Sequence, residues 1–306
     1  MVEEVFSIEL GASEKLTLKR NRYKGTSEKR ISIVSGIHGD ELEGQMVCFL
    51  LNDFLQKNQE KITGIIDIYP SVNPLGLDSI SRNIPFYDTD LNRVFPGFQK
   101  RSLPERLANA LVESVKGSEI VIDIHSSNIF LKELPQIRIN SIYAKKLVPL
   151  AQYLNVNFIW VHQPVDSLSS TFTCTMNKLG SKALLIEMGI GLRINKDYCY
   201  QIFYGIINLL IKEGFLDYKL DISIKKPLLS PGGKIHFINA NQSGIFISET
   251  EHGSYVKKGQ ILGKIVSSLT GKILETVLSP VDGLLFTLRE YPVVYEGSLI
   301  GRIFSE

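Results

Sequence analysis

The sequence is poor in cysteine, and it contains no CxxC pair. The three cysteines, Cys48, Cys174 and Cys199, are odd in number and far apart in a chain of 306 residues. This spacing argues against a disulfide framework and against a zinc site built on thiolates, and it is typical of a reducing compartment. We expect three buried free thiols.

A surplus of charge and a long apolar run are also missing. Lys plus Arg number 34 and Asp plus Glu number 32, so the net charge is only +2. A protein that binds a phosphate backbone needs a basic excess, and no nucleic-acid partner is expected. The first ten residues, MVEEVFSIEL, carry acids where a signal peptide needs basic residues, and residues 202–211 form only about half of a spanning helix. The sequence predicts a cytoplasmic protein with no membrane partner.

Residues 1–216 alternate between short β-branched runs and apolar residues at helical spacing. Because the runs are continuously apolar, they are typical of a largely parallel sheet covered by helices on both faces. The sequence predicts strands at 31–35, 62–69, 119–124, 137–139 and 183–187, and helices at 42–55, 102–116 and 197–213 with another ending near 153.

The pattern changes after residue 216. Residues 217–228 form a polar, lysine-bearing linker, and residues 229–306, here called the C-terminal segment, show no helical period. The motif G-x-[IL]-[LI]-G-[KR]-I occurs twice in this segment, at residues 259–265 and 297–303. Short strands between glycine turns predict a small all-β domain. Its turns resemble those of biotinyl and lipoyl barrels, but no lysine has the sequence context of a modified carrier lysine.

Histidine is scarce, and two of the five histidines follow predicted strands. His38 lies three residues before Glu41, where we expect a helix to begin and place both side chains on one face. His125 ends the strand at 119–124, and the carboxyl ends of parallel strands line the ligand crevice of such a sheet. Two imidazoles and a carboxylate leave zinc one open coordination position, and Asp123 is placed to support a ligand.

Two further segments carry groups suited to amide hydrolysis. The loop Asp90-Leu-Asn-Arg-Val-Phe-Pro-Gly offers the Arg93 guanidinium, which can bind a carboxylate with two hydrogen bonds, beside the Asn92 amide. Glu187 ends a buried strand and could act as general base towards a metal-activated water. Arg138 is either an anion contact or a surface arginine, and His162 is a possible neighbour of the pocket.

Together these motifs resemble the succinylglutamate desuccinylase/aspartoacylase family of the zinc carboxypeptidase superfamily. The resemblance is carried by GxHGDExEG at residues 36–44, R-x-x-P-x-x-D-x-D-L-N-R-x-F-P-G, D-x-H, the later glutamate and SPxDG. The number of residues between Arg82 and Asn92 is similar to that in N-acetyl-diaminobutyrate deacetylases. The segment that follows the D-x-H motif departs from the aspartoacylase form.

This resemblance implies a fold and a mechanism. The fold is a mixed α/β sheet flanked by helices, spanning residues 1–216, with a small barrel-sandwich-like β domain at 229–306. One zinc ion per chain would be bound by His38, Glu41 and His125. The remaining roles are oxyanion stabilisation by Arg82, carboxylate binding by Asn92 and Arg93, and activation of water by Glu187.

Three functions are compatible with the sequence. The first is a zinc-dependent hydrolase that cleaves the amide bond of a small carboxylate-bearing substrate such as an N-acyl amino acid. The second is a zinc carboxypeptidase that releases C-terminal residues from short peptides. The third, of another class, is a non-catalytic binding module or an inactive relative. The sequence leaves a homo-oligomer open.

Overall fold

A computed structural model describes residues 1–306 and contains seventeen β-strands and six α-helices in two sheets. The strands are β1 Val2–Glu9, β2 Lys15–Lys24, β3 Arg30–Ser35, β4 Ile65–Tyr69, β5 Ile120–Ser126, β6 Leu131–Asn140, β7 Phe158–His162, β8 Lys182–Gly189, β9 Leu228–Leu229, β10 Lys234–Asn239, β11 Gly244–Ser248, β12 Tyr255–Val256, β13 Ile261–Ser267, β14 Lys272–Leu278, β15 Gly283–Arg289, β16 Val293–Val294 and β17 Leu299–Ser305. The helices are α1 Glu43–Lys57, α2 Pro74–Asp78, α3 Leu103–Val115, α4 Ala144–Ala151, α5 Phe172–Lys178 and α6 Lys196–Lys212.

The larger sheet is mixed. Its main path runs β1-β2-β4-β3-β5-β8-β6-β15-β17-β10, and β7, β9 and β12 complete its thirteen strands. Strands β4, β3, β5 and β8 are parallel, whereas β6 runs antiparallel to β8 and β2 runs antiparallel to β4. The second sheet, β14-β13-β11-β16, is antiparallel and lies in the C-terminal segment. The predicted mixed α/β fold with a C-terminal β unit is confirmed.

The two faces of the central strands bury different helices. Along β3, Ile31 and Ile33 pack into the core that contains α1 and α6, whereas Val34 packs into the core that contains α3 and α5. Successive side chains of a strand point to opposite faces, so an uninterrupted apolar run supplies both cores. This double burial explains why the central strands could be recognised from the sequence.

Local sequence signals set several boundaries. The helix expected to start at 102 begins at Leu103, where Ser102 and Glu105 form a capping box. Strand β6 starts at Leu131, six residues before the predicted run at 137. The sequence did not predict this earlier start, because residues 131–136 mix polar and apolar residues and contain a proline. The hairpin of β1 and β2 was not predicted, because neither strand has the continuous apolar run of the central strands: β1 has no fully buried residue and β2 has only three.

The C-terminal segment contributes strands to both sheets. β15 pairs with β6, and β17 and β10 follow it in the larger sheet, so that sheet runs across the predicted linker. The two copies of the repeated motif become equivalent strands, β13 and β17. Each is preceded by a glycine with positive φ, Gly259 at +81° and Gly297 at +84°. The division of the chain into domains at 216 and 229 stays a prediction.

Two further properties concern the burial of the cysteines and the character of the helices. Cys48 and Cys199 are buried free thiols as expected, but Cys174 is only half-buried. It lies in the short helix α5, whose side chains partly face a cavity. Among the six α-helices, none combines the length and the apolar character that crossing a membrane would require.

His252 joins the C-terminal segment to α6. Its Nε2 donates to the Phe286 carbonyl at 3.2 Å, and its Nδ1 lies 3.4 Å from the Tyr198 hydroxyl. Burial lowers the pKa of His252 to about 4, since the charged ring would lose its hydration. The folded state therefore favours the neutral ring.

This burial predicts a specific acid sensitivity. The unfolded chain takes up a proton at His252 near its ordinary pKa, and the folded chain only near pH 4. The stabilising contribution is therefore present at neutral pH and is lost as pH falls through that window. When the pH falls from about 7 to about 4.5, we expect the unfolding free energy of the wild type to decrease by about 1–3 kcal/mol more than that of His252→Gln.

Urea unfolding at both pH values, with a chelator present, measures this difference. His236→Gln is the matched control, because His236 lies in the same segment and its ring forms a hydrogen bond only with the Ser305 hydroxyl. An identical pH dependence in His252→Gln and the wild type would contradict the prediction.

Candidate functional site

His38 and Glu41 lie in an irregular loop between β3 and α1. The helix begins at Glu43, so the expectation that both residues lie on its first turn is wrong. Gly36 has a φ of +68°, which turns the chain out of the strand, and a Cβ at Gly39 would collide with the backbone near Gly76. The loop is therefore packed against the segment that follows β4 before the helix can start.

The loop nevertheless brings the predicted ligands together. His38 Nδ1 lies 2.7 Å from one oxygen of Glu41, and His125 Nδ1 lies 2.8 Å from the other. The two Nδ1 atoms are 3.2 Å apart, and all three side chains are buried. These three residues form a group whose ligand atoms all lie within 4.8 Å of one another. The arrangement can hold a metal ion.

The outer nitrogen of each imidazole faces another carboxylate. His38 Nε2 is 3.0 Å from Asp90 Oδ1, and His125 Nε2 is 3.2 Å from Asp123 Oδ1. The other oxygen of Asp123 accepts a hydrogen bond from the Thr173 hydroxyl at 2.9 Å. Carboxylates in this position fix the orientation of metal-binding histidines and increase their basicity. Asp123 thus lies where the sequence analysis placed it.

The charges of this cluster fit a divalent cation. Three carboxylates, those of Glu41, Asp90 and Asp123, surround two imidazoles, and one guanidinium, that of Arg82, contacts the cluster. With both rings neutral, three negative charges meet one positive charge, which leaves an excess of two. Burial opposes protonation of His125, but Asp123 and Glu41 outweigh it and raise its pKa well above the usual value. The site therefore attracts positive charge.

Asp90 connects this cluster to the loop that follows. One of its oxygens accepts the backbone N–H of Asn92 at 2.8 Å and also faces His38, which holds Leu91–Arg93 in a single 3₁₀ turn. The other oxygen accepts from Arg82 at 3.2 Å, and Arg82 also donates to Glu41 at 3.0 Å. Arg82 therefore lies at the edge of the candidate metal site.

Asn92 and Arg93 follow in the same turn and line the same cavity. The Asn92 side-chain oxygen accepts the N–H of Phe172 at 2.8 Å, which leaves its amide hydrogens free to donate. Arg93 is exposed, and its guanidinium donates only to the Asn92 carbonyl at 2.8 Å. A guanidinium without a carboxylate partner in a cavity can bind an anion of a ligand.

Glu187 lies on β8 beside His125 of β5 in the register of the parallel pair. Burial raises the pKa of Glu187, although Arg138, whose Nη1 is 3.5 Å from Glu187 Oε1, works against the shift. A carboxyl with a raised pKa next to a candidate metal site is suited to accepting and returning a proton.

These groups surround one cavity of about 630 Å³. Arg138 lines it and is not a surface arginine, and its guanidinium contacts the carboxylates of Glu133 and Glu187. His162 also lines it, and its Nδ1 contacts the neighbouring Gln163 carbonyl. Sequence reasoning missed Glu133 and Arg302, which line the same cavity. The one sequence signal for Arg302 is that it occupies the basic position in the second copy of the repeated motif.

The sequence matches the family model described as the succinylglutamate desuccinylase/aspartoacylase catalytic domain over residues 27–211. Among curated proteins, it is similar to N-alpha-acetyl-L-2,4-diaminobutyric acid deacetylase from Halomonas elongata. The two are 22% identical over 239 residues, which cover 76% of this chain and 69% of the relative.

Solved structures share the fold over the whole chain. The product-bound ectoine utilization protein EutE (DoeB) from Ruegeria pomeroyi has a TM-score of 0.84 and 19% identity, with 100% of this chain and 95% of that chain covered. A succinylglutamate desuccinylase/aspartoacylase from Rhodobacter sphaeroides has a TM-score of 0.82 and 19% identity, with 100% and 96% covered. At these identities the likeness shows the fold alone.

The geometry predicts one divalent metal ion per chain. We expect purified protein dialysed against zinc to hold about one equivalent. His38→Ala combined with His125→Ala should hold none, since two of three ligands are gone. His162→Ala, a cavity histidine outside the cluster, is the matched control and should keep the metal. Metal analysis of the three proteins is the measurement, and full occupancy in the double variant would exclude this site.

Proposed function

Because the chain belongs to the succinylglutamate desuccinylase/aspartoacylase family, we propose that it is a zinc-dependent hydrolase of the amide bond in a small N-acyl amino acid. Membership makes it an enzyme of the hydrolytic deacylase type. The observation that carries the finer proposal is the convergence of His38, Glu41 and His125 on the cavity that Glu187 and Arg93 also line.

His38, Glu41 and His125 would hold the ion through two imidazole nitrogens and a carboxylate. Bound there, zinc would polarise the acyl carbonyl and make an attacking water more acidic. Asp90 would orient the His38 ring through its outer nitrogen, and Asp123 lies beside the outer nitrogen of His125 at 3.2 Å. The chain therefore supplies both the ligands and the groups that fix them.

Glu187 is the proposed general base. Its carboxylate takes a proton from the attacking water and delivers it to the leaving nitrogen as the C–N bond breaks. The raised pKa suits both halves of this transfer, because the group gains and loses a proton near neutral pH. Arg82, beside Glu41, donates to the oxygen on which negative charge develops.

Arg93 and Asn92 fix the substrate. A substrate carboxylate next to the scissile amide would accept hydrogen bonds from the guanidinium of Arg93 and from the side-chain amide of Asn92. These hydrogen bonds would hold the acyl carbonyl in place for attack. The compound named for the Halomonas elongata relative, N-alpha-acetyl-L-2,4-diaminobutyric acid, has this arrangement of groups and is the first substrate to test.

Release of a C-terminal residue from a short peptide is the second candidate. A peptide ends in the same arrangement of carboxylate and amide, and a cavity of about 630 Å³ has room for more than an acetylated amino acid. Assays of N-acyl amino acids, dipeptides and longer peptides separate the two functions. Hydrolysis confined to peptides would replace the first proposal by the second.

Loss of the base predicts loss of turnover without loss of metal. Glu187→Gln keeps size and hydrogen bonding, and we expect kcat to fall about 10²–10⁴-fold. A base acts in its ionised form, so wild-type kcat/KM should fall as pH drops and Glu187 takes up a proton, and this acid limb should be absent from the variant.

Steady-state kinetics and metal analysis measure these effects. Glu290→Gln is the matched control, because Glu290 is an exposed acid that pairs with Lys132 at 3.7 Å. A Glu187→Gln enzyme with a rate within a few-fold of wild type would show that another group is the base.

The carboxylate clamp predicts a dependence on the free acid. Arg93→Ala should reduce kcat/KM for a free-acid substrate by about 10- to 100-fold, the effect of losing a hydrogen bond to a charged group. Arg93→Lys keeps the charge but not the planar fork and should recover part of this loss. Amidated analogues should be poor substrates for the wild type and insensitive to Arg93→Ala. Equal hydrolysis of free-acid and amidated substrates by the wild type would contradict the clamp.

A further inference from the structure

Glu133, Thr287 and Arg302 form a row across three neighbouring strands. Thr287 of β15 is in register with Glu133 of β6 on one side and with Arg302 of β17 on the other. Arg302 Nη1 lies 2.5 Å from Glu133 Oε1 and 3.3 Å from the Thr287 hydroxyl oxygen. Pairing of β15 with β6 therefore brings the Arg302 guanidinium of the C-terminal segment to the Glu133 carboxylate of β6.

A break in register turns Glu133 towards Arg138. In a regular strand, residues five apart point to opposite faces, but the pairing of β6 with β8 shifts between Glu133 and Gln136. As a result, Arg138 Nη2 donates to both oxygens of Glu133, at 2.9 and 2.7 Å. Gln136 and the Thr287 hydroxyl also donate to this carboxylate, at 3.0 and 3.4 Å.

Arg138 in turn contacts the proposed base. Its Nη1 lies 3.5 Å from Glu187 Oε1, so one guanidinium bridges Glu133 and Glu187. The group of four contains two carboxylates and two guanidiniums, with Glu133 1% exposed. Removing Arg302 would leave two carboxylates sharing Arg138. A buried charge that loses its partner draws strongly on the remaining one, so Arg138 would shift towards Glu133 and away from Glu187.

We propose that Arg302 of the C-terminal segment is a positioning residue for Glu187, acting through Glu133 and Arg138. The proposal rests on the assignment of Glu187 as general base. Arg302 neutralises Glu133, which keeps Arg138 available to hold the Glu187 carboxylate in place. The C-terminal segment thereby completes the catalytic machinery by one side chain, without a contact to the reacting atoms.

Kinetics of Arg302→Gln test this role. We expect kcat to fall about 10- to 100-fold, the effect of a small misplacement of a catalytic group. KM should change less than about threefold, and the metal content should equal that of the wild type. Arg302→Lys keeps a positive charge next to Glu133 and should recover part of kcat. An unchanged kcat in folded Arg302→Gln, or an effect on KM alone, would overturn the positioning role.

Arg289→Gln is the matched control. Arg289 is a buried arginine of β15, and its guanidinium donates only to backbone carbonyls of residues 291, 293 and 299. We expect wild-type kcat per folded enzyme in this variant. If Arg302→Gln does not fold, Arg302→Gln combined with Glu133→Gln decides instead, because the double variant has no unpaired carboxylate at position 133 to draw Arg138 away from Glu187. We expect its kcat to be near the wild-type level, and a fall as large as that expected for Arg302→Gln would overturn the proposal.

Combining Arg302→Gln with Glu187→Gln separates this proposal from the proposed function. If Arg302 acts through Glu187, it has no further effect on kcat once Glu187 is replaced, and the effects of the two changes are not additive. Additive effects would overturn the positioning role and leave the base intact. Near-wild-type activity of Glu187→Gln alone would instead exclude Glu187 as the base.

Discussion

The carboxylate of Glu41 shared between two buried imidazoles is the interaction on which the rest of the site depends. It holds the Nδ1 atoms of His38 and His125 3.2 Å apart, although the two residues lie 87 positions apart in the chain. Two more carboxylates contact the outer nitrogens of the rings, so negative charge accumulates in a buried region. Such a cluster is costly unless a cation balances it. The surrounding loops supply one positive charge through Arg82, and the three ligand side chains can admit a metal ion as another.

The sheet explains how distant residues reach this cluster. The strands β3, β5 and β8 are parallel neighbours, so the segments that leave their carboxyl ends meet at one edge. His38, His125 and Glu187 come from these three ends. The loop that carries Arg82 and Arg93 reaches the same edge through Asp90, which contacts His38 and caps the turn of Asn92. One electrostatic cluster thus orders both the candidate metal ligands and the loop that carries Asn92 and Arg93.

Much of this fold and site could be predicted because the signals are local. Apolar runs marked the central strands, and the motifs around His38, Asn92 and Glu187 stand at strand ends or in polar loops. The parts that could not be predicted depend on pairing between remote strands. The antiparallel course of β6, the register shift after Glu133 and the arrival of Arg302 leave no periodic pattern in the sequence. The same limit applies to the start of α1, where packing of the loop on Gly76 delays the helix.

The repeated motif of the C-terminal segment gives two equivalent positions with different duties. In the first copy the basic residue is Lys264, whose ammonium pairs with Glu249 at 2.6 Å at the protein surface. In the second copy it is Arg302, which meets a buried acid beside the cavity. The same position of the repeated unit therefore presents its basic side chain to the protein surface in one copy and to the cavity in the other, so a symmetric backbone carries an asymmetric distribution of charge.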